Sequence, residues 1–277
     1  MTKPHEIADL LSLMDNLRDK ELGCNWDKKQ TLKTLTGYTL EEVYEVIDAV
    51  DTNDDAQLQD ELGDLLFQVV FYAQIAKEEG RFDFNDVIGS ITDKLLRRHP
   101  HVFPDGSLAS FGNSDLHLNA DEVASRWEQI KNEERALKAQ RKGDVSGHSV
   151  LDDVPNSLPA LDRARKLQKR AASVGFDWTS VQPVLDKLKE EIAELEAELL
   201  LNDTKKIHEE FGDLMFSCVN VARHLQLDPE SVLRESNRKF ERRFRAVEGI
   251  AIGHGRTLES FSEEELDRMW TQVKGQE

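Results

Sequence analysis

Eight acidic residues fall into two sets with one spacing: Glu42, Glu45, Glu61 and Asp64, then Glu191, Glu194, Glu210 and Asp213, each 149 positions beyond its counterpart. Both sets read E-x-x-E, a gap, then E-x-x-D, with intervals of 3, 16 and 3 residues. Acids three apart share one face of a helix. A gap of sixteen lets a second helix return antiparallel and bring its own pair opposite the first. Four carboxylates at one point repel and raise each other's pKa. A hard divalent cation relieves that conflict, and Mg2+ is the usual partner of carboxylate oxygens.

The commonplace reading of a glutamate-rich helix is a solvated face. Glu42 also has a local alternative, since Thr39-Leu40-Glu41-Glu42 fits a capping box with Thr39 as N-cap. The second copy argues against both, because Glu191 falls well inside a helix whose start signal is Pro183. Glu61 and Asp64 also lie beside an apolar stripe expected to be buried, where unpaired charge is costly.

Basic residues supply the other half of a site. Lys94, Arg97 and Arg98 repeat as Lys239, Arg242 and Arg243, a K-x-x-R-R pattern that puts three cations on one helical face. Arginine forks bind phosphate oxygens bidentately and lysine adds a point charge. Salt bridging to the surplus acids is the competing reading, and proximity to a metal cluster favours phosphate. Trp270 suits either stacking on a base or anchoring the last helix. Lys274, one turn later, reaches a phosphate or is solvated. His99, His101 and His148 lack partners at metal-ligand spacing and remain unassigned.

The elements that must position these groups are helical. Leu62, Leu65, Leu66, Val69, Val70, Ala73 and Ala76 follow i, i+3, i+4 spacing, and Gly80 is placed to end that helix. Residues 183–201 carry Val184, Leu188, Ile192, Leu195 and Leu199 on one stripe. Little alternates with a period of two, and the segment around His99-Pro100 reads as loop. The expected fold is all-α: two tandem helical bundles, residues 1–131 and 160–277, joined by a linker over 132–159 that contains Lys142-Gly143-Asp144, Ser146-Gly147-His148, Pro155 and Pro159. Further landmarks repeat, with Trp26 matching Trp178 and Trp127 matching Trp270.

With 36 basic and 54 acidic residues the formal charge is −18, which argues against wrapping nucleic acid. No apolar run approaches the roughly twenty residues of a membrane span, so no membrane partner and a soluble, cytoplasmic protein are expected. Cys24 and Cys218 occupy non-equivalent places in the repeats and read as free, buried structural thiols.

Leu40-Glu41-Glu42-Val43-Tyr44-Glu45, Asp60-Glu61-Leu62-Gly63-Asp64-Leu65-Leu66-Phe67, Gly80-Arg81-Phe82-Asp83-Phe84 and Arg97-Arg98-His99-Pro100-His101-Val102-Phe103 together resemble the MazG family, as do Val174-Gly175-Phe176-Asp177-Trp178 and Lys239-Phe240-Glu241-Arg242-Arg243-Phe244. These are tandem-domain bacterial nucleoside triphosphate pyrophosphohydrolases of the all-α NTP pyrophosphatase superfamily, and the likeness covers nearly the whole chain. It implies Mg2+-dependent hydrolysis of ribo- and deoxyribonucleoside triphosphates to monophosphates and pyrophosphate by a homodimer. It makes Glu191, Glu194, Glu210 and Asp213 metal ligands. It also sets Lys187, Lys189, Glu190, Lys206, Glu209, Lys239, Arg242, Arg243, Trp270 and Lys274 around the nucleotide.

The implied chemistry is attack of water on the triphosphate. The carboxylates hold Mg2+ against the phosphate oxygens, Glu190 or Glu209 is the candidate base, and Lys239 with Arg243 stabilises the leaving pyrophosphate. Four carboxylates are enough for a pair of ions about 4 Å apart. The family generally places catalysis in the C-terminal domain, and Lys189 there is Leu40 in the first copy. Two rival readings are a narrower dUTP or phosphoribosyl-ATP pyrophosphohydrolase and a non-catalytic helical interaction protein that binds nucleotide for regulation.

Overall fold

A computed structural model of the chain describes residues 5–114, 118–141, 149–152 and 154–276. The described residues form ten α-helices and three short 3-10 turns, without a strand. The chain divides into two compact units, Met1–Lys138 and Ala139–Glu277. The first holds α1 (Ile7–Leu17), α2 (Leu35–Thr52), α3 (Asp55–Glu78), α4 (Phe84–Arg98) and all but the last three residues of α5 (Ala120–Arg141); the second repeats the order as α6 (Ala160–Ala172), α7 (Val181–Leu201), α8 (Thr204–His224), α9 (Pro229–Gly253) and α10 (Glu263–Lys274). Helix α5 runs to Arg141, so the first ten residues of the segment expected as linker are helical. The Lys142-Gly143-Asp144 and Ser146-Gly147-His148 stretches lie outside the described residues.

Each unit is built around a helical hairpin, α2 with α3 and α7 with α8. The corner is the same in both: Asn53 and Asn202 end their helices in the left-handed region, at φ 56° and 55°. Asparagine visits that region more readily than residues with longer or branched side chains. The next residue caps the returning helix. Asp54 accepts the N–H groups of Ala56 and Gln57, and Asp203 those of Lys205 and Lys206.

At their far ends α3 and α8 also close alike. Gly80 at φ 67° and Gln226 at φ 59° each precede a residue whose N–H returns to a carbonyl five positions back: Arg81 to Ala76 and Leu227 to Ala222. This is the Schellman closure, and Gly80 adopts it without a Cβ penalty.

Burial follows only half of the α3 stripe. Val70, Ala73 and Ala76 are buried, with Met14, Leu35, Phe71 and Ile75 completing the core of the first unit. The acid-bearing half is not covered: Leu62, Leu66 and Val69 are exposed. In α7, likewise, Val184 is buried while Ile192 and Leu199 are exposed. In the second unit Val247, Met269 and Val273 join α9 to α10, with Trp270 packed against them.

Two local expectations are corrected. Helix α2 starts at Leu35, four residues before Thr39, so Thr39 is no N-cap; its hydroxyl lies 2.9 Å from the Leu35 carbonyl and 2.8 Å from the Tyr72 hydroxyl, tying α2 to α3. Cys24 and Cys218 are free thiols, but both are exposed rather than buried, since neither helix face nor loop covers them.

Candidate functional site

The hairpin corner explains the sixteen-residue gap. Glu45 stands eight residues before Asn53 and Glu61 eight after it, and Glu194 and Glu210 flank Asn202 in the same way. At 1.5 Å rise per residue both members of each pair sit about 12 Å from the corner, directly across the hairpin. The carboxylate oxygens of Glu42, Glu45 and Glu61 come within 4.8 Å of one another, and so do those of Glu191, Glu194 and Glu210.

Asp64 and Asp213 lie outside these triads. Their carboxyl groups are one methylene shorter than a glutamate's. They still act on the clusters through charge. Burial raises the Glu42 carboxyl above the ordinary carboxylate range, and Asp64 and then Glu45 push it the same way. Glu210 is raised by desolvation, then by Glu194, Asp213 and Glu191, with Lys206 opposing. These are groups of oxygen donors that favour a positive partner. Their size and donor type fit a hard divalent ion such as Mg2+.

The neighbours of the two triads differ. In the second unit Glu191 is only 5% exposed, and Lys187 lies 2.9 Å from it and 2.6 Å from Glu190. Those two carboxylates, Glu190 first, hold the Lys187 ammonium well above its ordinary pKa. In the first unit the position of Lys187 is Tyr38 and that of Lys206 is Gln57. Neutral amides bond the acids of this unit: Gln68 donates to Glu42 at 3.3 Å and Gln57 to Glu61 at 3.5 Å.

The other predicted residues are placed as follows. Lys189 pairs with Asp186 at 2.9 Å, Glu209 with Lys205 at 3.6 Å, and Lys206 with Glu198 at 3.7 Å, all on the exposed flanks of the hairpin. Lys239, Arg242 and Arg243 stand on α9, the first two exposed and Arg243 half-buried. Trp270 is half-buried on α10 with its ring 5.4 Å from that of Phe240, a contact between α10 and α9. Lys274 is exposed at the end of α10.

A further cluster escaped the sequence reading. Arg223 and His224 at the end of α8 both reach Asp177, with Arg223 bonding both carboxylate oxygens and His224 3.0 Å away. Arg223 first, then His224, hold the Asp177 carboxyl down at about 2. This clamps the loop before α7 onto α8. The Asn-Asp corners were also missed, though an identical dipeptide at the centre of both sixteen-residue gaps was a usable signal.

An all-α hairpin that brings three glutamates within 4.8 Å of one another, in the second unit with Lys187 2.9 Å from Glu191, has the donor set of a class that handles a divalent ion and phosphate together. The MazG nucleotide pyrophosphohydrolase domain matches residues 30–103 and 179–247, segments that contain all eight acids and both K-x-x-R-R patterns. The chain is 54% identical over 275 residues to a nucleoside triphosphate pyrophosphohydrolase of Escherichia coli K12, covering 99% of this chain and 98% of that one. It is 43% identical over 267 residues to the nucleoside triphosphate pyrophosphohydrolase/pyrophosphatase MazG of Thermotoga maritima, covering 96% and 95%. The chain belongs to the MazG family.

Proposed function

We propose that this chain is a nucleoside triphosphate pyrophosphohydrolase that breaks the bond between the first and second phosphates of ribo- and deoxyribonucleoside triphosphates, releasing a monophosphate and pyrophosphate. Supporting the activity are the family membership and the names of the nearly full-length relatives. The observation that carries the mechanism is the convergence of Glu191, Glu194 and Glu210 on one point beside Lys187.

Glu191, Glu194 and Glu210 are the residues that would hold Mg2+, with Asp213 adding negative potential. When bound there, the ion supplies a Lewis acid that neutralises charge developing on the phosphate oxygens. Lys187, fixed by Glu190 and Glu191, offers a cation at the edge of the triad. Lys239, Arg242 and Arg243 on α9 are suited to the outer phosphates as pyrophosphate departs. Glu190 and Glu209, each next to a ligand in sequence, are the candidates to take the proton of the attacking water. Trp270 and Lys274 lie outside the matched family segments, and their part is to border the nucleotide.

The second unit is the working one in this reading, because the first has Tyr38, Leu40 and Gln57 where the second has Lys187, Lys189 and Lys206. We also infer a homodimer. Phe211, Met215 and Phe216 are all exposed on α8, an apolar face that symmetric pairing of hairpins would cover. Among the described residues no helix is long and apolar enough to cross a membrane.

Chromatographic product analysis with the common triphosphates and phosphoribosyl-ATP tests the proposal. Monophosphate plus pyrophosphate, lost on chelation of divalent ions, is expected. Diphosphate plus orthophosphate, or turnover undiminished by exhaustive chelation, would refute it; turnover of dUTP or phosphoribosyl-ATP alone would replace it with the narrower activity.

A further inference from the structure

The two arginines of the first K-x-x-R-R pattern are already engaged. Arg97 reaches Oε1 of Glu134 with Nη2 at 2.7 Å and Nε at 2.9 Å, and Arg98 reaches Oε2 with Nη2 at 2.6 Å. One carboxylate thus spans two guanidinium groups with both oxygens, as a phosphate group does at an arginine pair. Glu134 comes from α5, 36 residues beyond Arg98 in the chain. It is well covered, with its side chain only 18% exposed. Seven residues earlier on the same face of α5, Trp127 packs edge-on against His99, 5.1 Å between rings. That contact seats α5 over the end of α4, where the arginines stand.

We propose that Glu134 is an internal surrogate for a phosphate group, occupying the Arg97–Arg98 anion site of the first repeat and closing it to polyphosphate ligands. The inference rests on the proposed reading of K-x-x-R-R as the phosphate grip. The field there favours an anion strongly: the arginines, Arg98 first, hold the Glu134 carboxyl down at about 2. A nucleoside triphosphate or free pyrophosphate must therefore displace a covalently tethered competitor whose effective concentration is high. Glu134 lies outside the matched family segments, so the feature that closes the site is separate from the hairpin that the family model covers. By spacing from Trp270 the second repeat carries Glu277 at the corresponding place, outside the described residues. The test therefore reads the first repeat by itself.

The full chain carrying Lys239→Ala and Arg243→Ala, which weakens phosphate binding by the second repeat, is titrated calorimetrically with inorganic pyrophosphate in MgCl2. Adding Glu134→Gln, which keeps the shape of the side chain, is expected to tighten pyrophosphate binding about tenfold or more. Arg97→Gln with Arg98→Gln is expected to remove that gain. Glu134→Asp withdraws the carboxylate by one methylene and is expected to give a smaller gain, so a folding defect in one variant leaves the other to decide. Unchanged affinity in both, or a gain that survives loss of the arginines, overturns the proposal. Nucleotide turnover by the unmodified chain is measured in parallel: its absence counts against the enzymatic reading, whereas unchanged pyrophosphate binding with turnover intact counts against Glu134.

Discussion

The Asn202-Asp203 corner is expected to control the metal site from a distance. Asn202 holds φ 55° and Asp203 accepts two N–H groups of α8 at 3.1 and 3.2 Å. Asn202→Val puts a β-branched side chain into the left-handed region, at a cost of about 1–2 kcal/mol. Asp203→Ala removes the cap, at a cost of about 1 kcal/mol. The sum of the two costs puts the pair together at about 2–3 kcal/mol. For a unit of this size each kcal/mol moves the melting temperature by about 4 °C, giving a fall of about 8–12 °C for the second unit in scanning calorimetry. Glu194 and Glu210 are about 12 Å from the corner, too far for either new side chain to touch them. What changes is how firmly α7 and α8 are held in register, so the Mg2+ concentration for half-maximal turnover should rise. Asn202→Gly, which accepts the same backbone angle, should behave like the parent. The corresponding Asn53→Val with Asp54→Ala should destabilise the first unit by a similar amount and leave turnover near normal. An Asn202→Val, Asp203→Ala chain that melts like the parent, or one whose metal requirement is unchanged, would refute the reasoning.

Glu191→Gln with Glu194→Gln should reduce triphosphate turnover by roughly a hundredfold or more, as expected when metal ligands are lost, while Glu42→Gln with Glu45→Gln leaves most of it; the reverse ranking in a pyrophosphate-release assay would make the first repeat the working one. Asp177 has its folded-state pKa lowered from 3.8 to about 2, so its contribution to stability is present above about 4 and is lost as pH falls through about 2. Arg223→Met should therefore remove roughly 1 kcal/mol at neutral pH, after allowance for solvent screening, and much less at pH 2; urea melts at both pH values check this, and an equal loss at both speaks against the clamp. Sedimentation at micromolar concentration should give a species near twice the 31.6 kDa chain mass, and a single species at the chain mass would refute the dimer.

The sequence by itself determined the helical class, the existence of two equivalent units and the acids that face one another, because all of these follow from periods local to a helix. Equal spacing on either side of an Asn-Asp corner is enough to bring Glu45 opposite Glu61 and Glu194 opposite Glu210. Tertiary structure decided the rest. Asp64 and Asp213 have the right spacing but stay outside the triads and act on them through charge. The apolar stripe of α3 reads as continuous, yet only Val70, Ala73 and Ala76 are buried, because the other helices of the unit cover one half of it. Thr39 matches a capping box and lies inside a helix, since packing of Leu35 into the core starts α2 a turn earlier. The Arg223–Asp177 and Arg97–Arg98–Glu134 contacts join residues 36 to 46 positions apart. A basic residue in an acidic chain has many conceivable partners, and only the docking of one helix on another selects among them.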